Sequence, residues 1–135
     1  MSQGKKKALI IGISDYDELQ PLDLCRNDAE ELFRVLTEQG YEILDKYKLI
    51  GRVPYEPMRK TIIQFFNNKD NRREDTLLFY YSGHGLPDGY GKHFLAPSDV
   101  NPNSPFESGI DFEHLQYLAE LTQNSVLDSQ ILGGR

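Results

Sequence analysis

The stretch Phe79-Tyr80-Tyr81-Ser82-Gly83-His84-Gly85 holds the residues of this sequence best suited to chemistry. A histidine between two glycines, at the end of an apolar run, has little side-chain crowding around it. Glycine admits backbone geometries closed to other residues and lets a second chain approach closely. An imidazole ordinarily titrates near neutrality, so one presented in this way can serve as acid or base. A loop histidine flanked by turn glycines explains the same residues. Spacing alone leaves the two accounts level.

Cys25 is the single cysteine, which excludes an internal disulfide and a zinc site built on cysteine pairs. Alone, a cysteine is more often a small buried residue than a reactive one. His93 and His114 fit ordinary strand and helix-surface positions. Too few ligands converge around His114, with Asp111 or Glu113, to expect a metal there. Asn27 with Glu30 three residues on has capping-box spacing, which gives Asn27 and Asp28 a plain structural account.

The elements that position these residues follow from pattern. Ala8-Leu9-Ile10-Ile11-Gly12-Ile13 is a continuous apolar run, suited to a strand covered on both faces. A helix is predicted from Asn27, with Ala29, Leu32, Phe33 and Leu36 on one face and Gly40 at its stop. Tyr41 to Ile50 is predicted as a second strand. A helix follows with Pro57 at its first position and Met58, Ile62, Phe65 and Phe66 inward. Thr76 to Tyr81 is the strongest strand signal, ending at Ser82-Gly83-His84-Gly85. Asp88-Gly89 suits a hairpin turn, and His93 to Ala96 a short strand. Asn101 to Ser108 has loop composition. Asp111 is predicted to cap a last helix, and residues 125–135 to form an irregular tail in which Ser125 to Asp128 begins a strand.

This alternation implies an α/β fold, a mainly parallel sheet flanked by helices, in one domain over 1–135. Functional groups of such sheets collect at the carboxyl ends of strands. That rule singles out Ser14-Asp15-Tyr16 and Ser82 to Gly85. Composition is that of a globular chain of 135 residues, and the net charge of −6 argues against a nucleic-acid partner. No segment approaches membrane-spanning length and the Lys5-Lys6-Lys7 start lacks a cleavage-like stretch, so no membrane and a cytoplasmic location are expected.

Tyr80-Tyr81-Ser82-Gly83-His84-Gly85 after an apolar strand resembles the histidine motif of caspase-like peptidases. Ala8 to Tyr16 resembles their first strand and loop. Leu22 to Ala29 is similar to the Gly-Cys-x-Asn-Asp segment of metacaspases, with Asp23-Leu24 in place of the leading residues. Phe94 to Asp99 resembles the segment after the histidine loop. These four motifs, in the family's order, cover roughly Lys7 to Leu121.

The resemblance implies a caspase-like fold, incomplete at its C-terminus, and cysteine endopeptidase chemistry on a peptide or protein substrate. By resemblance His84 is the general acid/base and the amide of Gly85 an oxyanion donor. Cys25, Asp28 and Ser82 map onto a substrate pocket for a basic side chain, as the charge of a carboxylate there would require. Calcium enters by resemblance too, with Asp99 and Asp111 the nearby carboxylates and no acidic cluster around them. No other cofactor is expected.

The pattern breaks at the nucleophile. Val126-Leu127-Asp128-Ser129-Gln130 is the nearest match to the family's cysteine segment, with Gln130 where the cysteine belongs. Cys25 stands in the wrong motif, and Ser129 is one position early, on the opposite face of a regular strand. Three accounts follow: a piece of a longer peptidase whose cysteine lies elsewhere, a pseudo-peptidase kept for binding, or a non-native end. On the first, the remaining C-terminal part of the peptidase would be a partner. A flavodoxin-like nucleotide or signalling module fits less well, because Ile11-Gly12-Ile13-Ser14 lacks the glycines of a phosphate loop.

Overall fold

The computed structural model describes residues 4–122, 125–127 and 131–132, the last two stretches by backbone alone. Asp128, Ser129, Gln130 and Gly133 to Arg135 lie outside the described residues. The main sheet contains β1 (Lys6–Ile13), β2 (Lys48–Gly51), β3 (Thr76–Ser82), β7 (Ser125–Leu127) and β8 (Ile131–Leu132). Its order is β2-β1-β3-β7, with β8 also on β3, and every pairing is parallel. A separate antiparallel sheet of β4 (Gly85–Pro87), β5 (His93–Leu95) and β6 (Ile110–Asp111) adjoins the carboxyl end of β3. The helices are α1 (Asp23–Glu38), α2 (Tyr55–Phe66), the single turn α3 (Pro105–Ser108) and α4 (Phe112–Leu121).

The apolar run of β1 is buried on both faces, as its composition predicts. Leu9, Ile11 and Ile13 join Leu77, Phe79 and Tyr81 of β3 in a core with Met58, Ile62, Phe65 and Phe66 of α2 and Leu115 of α4. Ala8, Ile10 and Tyr80 face the other way, toward Ala29 and Leu36 of α1. Helix α1 therefore covers one face of the sheet, and α2 and α4 cover the other. Gly12 sets how closely α1 approaches: a Cβ there would stand 2.4 Å from Ala29 Cβ and 2.9 Å from the Cys25 carbonyl oxygen.

Several boundaries differ from the sequence reading. Helix α1 begins four residues before Asn27, with Leu22 as its N-cap and no side-chain cap. Its entry is fixed instead by a main-chain bond, Leu22 N–H to Ser14 O at 2.9 Å, and by burial of Cys25 in the first turn. The capping account of Asn27 and Asp28 is thereby overturned. Gly40 does follow the C-cap, at φ 90°. The second strand shrinks to Lys48–Gly51, because a 3₁₀ turn at Asp45–Tyr47 interrupts the run and Glu42 makes only an isolated bridge to Lys7. Pro57 sits at the third position of α2, where its missing N–H is still one of the helix's unpaired donors. The predicted cap at Asp111 is present, its carboxylate accepting from Glu113 N–H at 2.9 Å. The tail is not wholly irregular, since β7 and β8 extend the sheet beyond β3. Ser125 stands opposite Thr76 and Ile131 opposite Tyr81, so the pairing offset changes by one residue between the two stretches.

Candidate active site

Strands β1 and β3 end side by side, Gly12 opposite Ser82, and their following loops carry the candidate residues. His84 lies just past β3 and is buried, at 3 % exposure. Its Nε2 is 2.8 Å from the main-chain carbonyl oxygen of Gln20. A carbonyl only accepts, so Nε2 carries the proton in the neutral ring and Nδ1 keeps its lone pair. The ring also meets Tyr16 edge-on, with centroids 4.7 Å apart.

The main chain of His84 is held equally firmly. Its N–H donates to Tyr16 Oη at 2.9 Å, and its carbonyl accepts from Tyr81 Oη at 2.6 Å and from Ala96 N–H at 3.0 Å. Burial pushes the Tyr16 phenol up to about 12 and that of Tyr81 well above its ordinary value, so both stay protonated at neutral pH. Neither glycine beside His84 has a positive φ. Gly83 is required by proximity instead: a Cβ would stand 2.5 Å from Tyr81 Oη and 2.8 Å from Tyr16 Oη. At Gly85 the nearest atom to an added Cβ is 3.9 Å away. Antiparallel pairs alternate between bonded and non-bonded types. With His84 and Ala96 a bonded pair, Gly85 opposite Leu95 is non-bonded, and its N–H points away from β5.

Helix α1 brings the other candidates to the same edge. Cys25 is buried in its first turn, with its carbonyl against Gly12, the strand neighbour of Ser82. Ser82 is sealed from solvent. Tyr80 feels its hydroxyl nearby, but the geometry falls short of a hydrogen bond, and Ser82 Oγ is left unpartnered. Burial, chiefly, raises the Tyr80 phenol, and the charge of Asp28 adds to the effect. Asp28 itself is exposed on α1. Arg26 leans the other way, its guanidinium lying over Gly51 at the end of β2.

Three residues that the sequence reading gave no role join the site. Gln20 contributes only a main-chain atom. Tyr16 reaches His84 from 68 residues away. Ser98 is fully buried and ties three loops: its Oγ accepts from Val53 N–H at 2.6 Å, and its carbonyl accepts from Asp17 N–H at 2.9 Å. The two calcium candidates are otherwise engaged. Asp99 accepts from Tyr55 N–H at the start of α2, and Asp111 caps α4 and pairs with Lys92 at 3.2 Å. Among the described residues no group of three His, Cys, Asp or Glu side chains could hold a metal. No described helix is long and apolar enough to cross a membrane. An apolar cleft of about 320 Å³ lies between α2 and α4, and none of its lining residues belongs to the His84 set.

Comparison with known proteins places this geometry in context. Residues 5–129 match the family model of the caspase domain. Metacaspase-1 of Kluyveromyces lactis is 37% identical over 89 residues, covering 61% of this chain and 20% of that protein. Metacaspase-1 of Plasmodium falciparum is 31% identical over 134 residues, covering 86% of this chain and 21% of that protein. The chain thus spans about a fifth of these relatives. The fold is similar to that of pro-sf-caspase-1, with a TM-score of 0.71 and 16% identity over 98% of this chain and 47% of that one. It is also similar to that of the Drosophila initiator caspase Dronc, with a TM-score of 0.62 and 16% identity over 83% of this chain and 40% of that one.

Proposed function

The chain belongs to the caspase domain family, whose chemistry is that of cysteine peptidases, and from that premise we propose that it supplies the histidine half of a metacaspase-type endopeptidase cleaving after Arg or Lys. One observation carries this reading: the Gln20 carbonyl occupies Nε2 of a buried His84, leaving Nδ1 as the base. In the proposed reaction a cysteine thiol passes its proton to Nδ1, and the thiolate attacks the scissile carbonyl carbon. The Gly85 N–H, turned away from β5, donates to the developing oxyanion. The proton then moves from His84 to the leaving amine nitrogen, and water hydrolyses the acyl-enzyme.

The attacking cysteine is not Cys25. Its main chain is wedged within α1 against Gly12, the strand neighbour of Ser82. Asp28 presents an exposed carboxylate to a cation, while Arg26 leans away from β3. The nucleophile is supplied from outside this chain, on a partner part of the peptidase that continues the sheet past β7 and β8. Gln130, where the cysteine motif would place it, motivates this assignment and also a second reading, a pseudo-peptidase that binds peptides without cleaving them.

The test uses the longest natural protein carrying this domain and fluorogenic peptides ending in Arg, Lys or Asp. Cleavage after Arg or Lys, abolished in His84→Ala, is expected. Tight peptide binding without turnover would select the pseudo-peptidase, and preferred cleavage after Asp would overturn the specificity. This chain alone should show no turnover. Activity of the chain that vanished in Cys25→Ala would reassign the nucleophile.

A further inference from the structure

Opposed residues of a bonded antiparallel pair exchange two main-chain hydrogen bonds. His84 and Ala96 exchange only one, from Ala96 N–H to His84 O. The return bond is replaced by a relay through a side chain. His84 N–H donates to Tyr16 Oη at 2.9 Å, and the Tyr16 hydroxyl donates onward to Ala96 O at 2.9 Å. Tyr81 closes the circuit on the other side. Its hydroxyl donates to His84 O at 2.6 Å, with a longer contact of 3.2 Å to Ala96 O, and accepts from Ala96 N–H at 3.2 Å.

Each phenol has one proton. With the Tyr16 proton spent on Ala96 and that of Tyr81 on His84, their mutual 3.5 Å contact is proximity only. The two hydroxyls fill the space where a Gly83 Cβ would go, and the Tyr16 ring bears edge-on against the imidazole. Tyr16 is itself anchored, since its neighbour Asp17 donates its N–H to buried Ser98.

We propose that Tyr16, assisted by Tyr81, is a positioning residue for His84, its inserted hydroxyl setting the imidazole so that Nε2 meets Gln20 and Nδ1 keeps its lone pair. The catalytic consequence rests on the peptidase reading above, but the geometry is measurable without turnover. A lost hydroxyl lets the His84 loop shift, breaks the bond to Gln20 and releases the ring to sample both tautomers.

The experiment records imidazole ¹⁵N spectra of this chain, labelled at histidine, at about pH 8, above the ordinary imidazole range. His84→Gln assigns the signals. Wild type should show one protonated and one bare nitrogen for His84. Tyr16→Phe, which keeps the ring, should draw the two signals together and speed exchange of the His84 amide by roughly tenfold, the scale of one lost hydrogen bond. Amides of Ile10 and Phe79 should stay unchanged. A merely structural role would lower Tm and speed all three amides while leaving the nitrogen signals in place, and that result overturns the proposal. If Tyr16→Phe does not fold, wild type still decides. A slowly exchanging Tyr16 hydroxyl proton with a nuclear Overhauser effect to the His84 amide is expected, and its absence overturns the relay. Lack of peptidase activity in the longer protein, with the tautomer as expected, would sink the functional reading and leave the positioning intact.

Discussion

His84 Nε2 and the Gln20 carbonyl oxygen stand 2.8 Å apart, so the histidine is oriented by a main-chain atom and not by a side-chain acid. The residue after Gln20 is Pro21, which restricts Gln20 to extended backbone and so helps aim its carbonyl. The orienting device therefore lies in backbone conformation, which makes the Gln20 side chain dispensable.

Gln20→Ala should accordingly leave the His84 tautomer unchanged and stability within about 0.5 kcal/mol, the range of ordinary surface substitutions. Pro21→Gly should cost about 1 kcal/mol through the unfolded chain and loosen the carbonyl. Urea titration gives the energies, and imidazole ¹⁵N spectra report the tautomer. A Gln20→Ala variant that lost the single tautomer would show the side chain to be the orienting group.

The two glycines beside His84 should respond differently to the same methyl group. Gly83→Ala drives a Cβ to 2.5 Å from Tyr81 Oη and 2.8 Å from Tyr16 Oη. Overpacking of this kind costs about 1–3 kcal/mol. Gly85→Ala meets nothing closer than 3.9 Å and should be neutral within about 0.5 kcal/mol. Chemical denaturation of the two variants checks the contrast, and equal losses would contradict it.

Asp75 predicts a pH dependence at the opposite end of the sheet. Its sealed carboxylate accepts from Lys5 N–H at 2.8 Å and Arg72 N–H at 3.0 Å, and lies 3.3 Å from Lys7 Nζ. Burial alone would raise its pKa, but these donors and the ammonium outweigh it and hold the pKa at about 2, below the ordinary 3.8. A depressed acid contributes stability fully above its unfolded value and loses it as pH falls through the folded one. Its cationic partners Lys7 and Arg72 reach solvent, so screening limits the effect to about 1–2 kcal/mol. Asp75→Asn should be less stable than wild type by that amount at pH 7. The gap should close between pH 4 and pH 2. A gap independent of pH would show that shape, not charge, is what Asp75 supplies.

The parts of this site that were legible in sequence share one property, a local pattern. The apolar run before Ser82-Gly83-His84-Gly85 announces a buried strand ending at a histidine, and the parallel-sheet rule then places it at the carboxyl edge. Gln20 was illegible because the atom that matters is a carbonyl every residue possesses. Tyr16 stood in a segment already singled out, but its target is 68 residues away and no periodicity connects them. The start of α1 misled because Asn27 and Glu30 have capping-box spacing while burial of Cys25 decides the boundary. The alternation argument about Ser129 concerns a residue outside the described ones.

Specificity is the strongest remaining prediction, and it turns on charge. Asp28 is an exposed carboxylate on α1, three residues after Cys25, and its charge acts on the Tyr80 phenol. A substrate guanidinium brings donors only, and matches a carboxylate by a charge-assisted hydrogen bond. A substrate carboxylate would need a cation. Within the same segment that cation is Arg26, which lies over Gly51 at the end of β2, on the far side of β1 from Ser82. Cleavage after Arg or Lys is therefore expected from the longer protein carrying this domain. Losing one charge-assisted contact costs about 1.5–3 kcal/mol, so Asp28→Ala should lower kcat/KM on Arg peptides roughly ten- to hundredfold. Because the lost interaction is with the bound side chain, most of the change should appear in KM. Asp28→Asn, which keeps the shape and removes the charge, should lose nearly as much. A wild type that prefers Asp, or an Asp28→Ala variant that cleaves Arg peptides normally, would show that this carboxylate does not recognise the substrate.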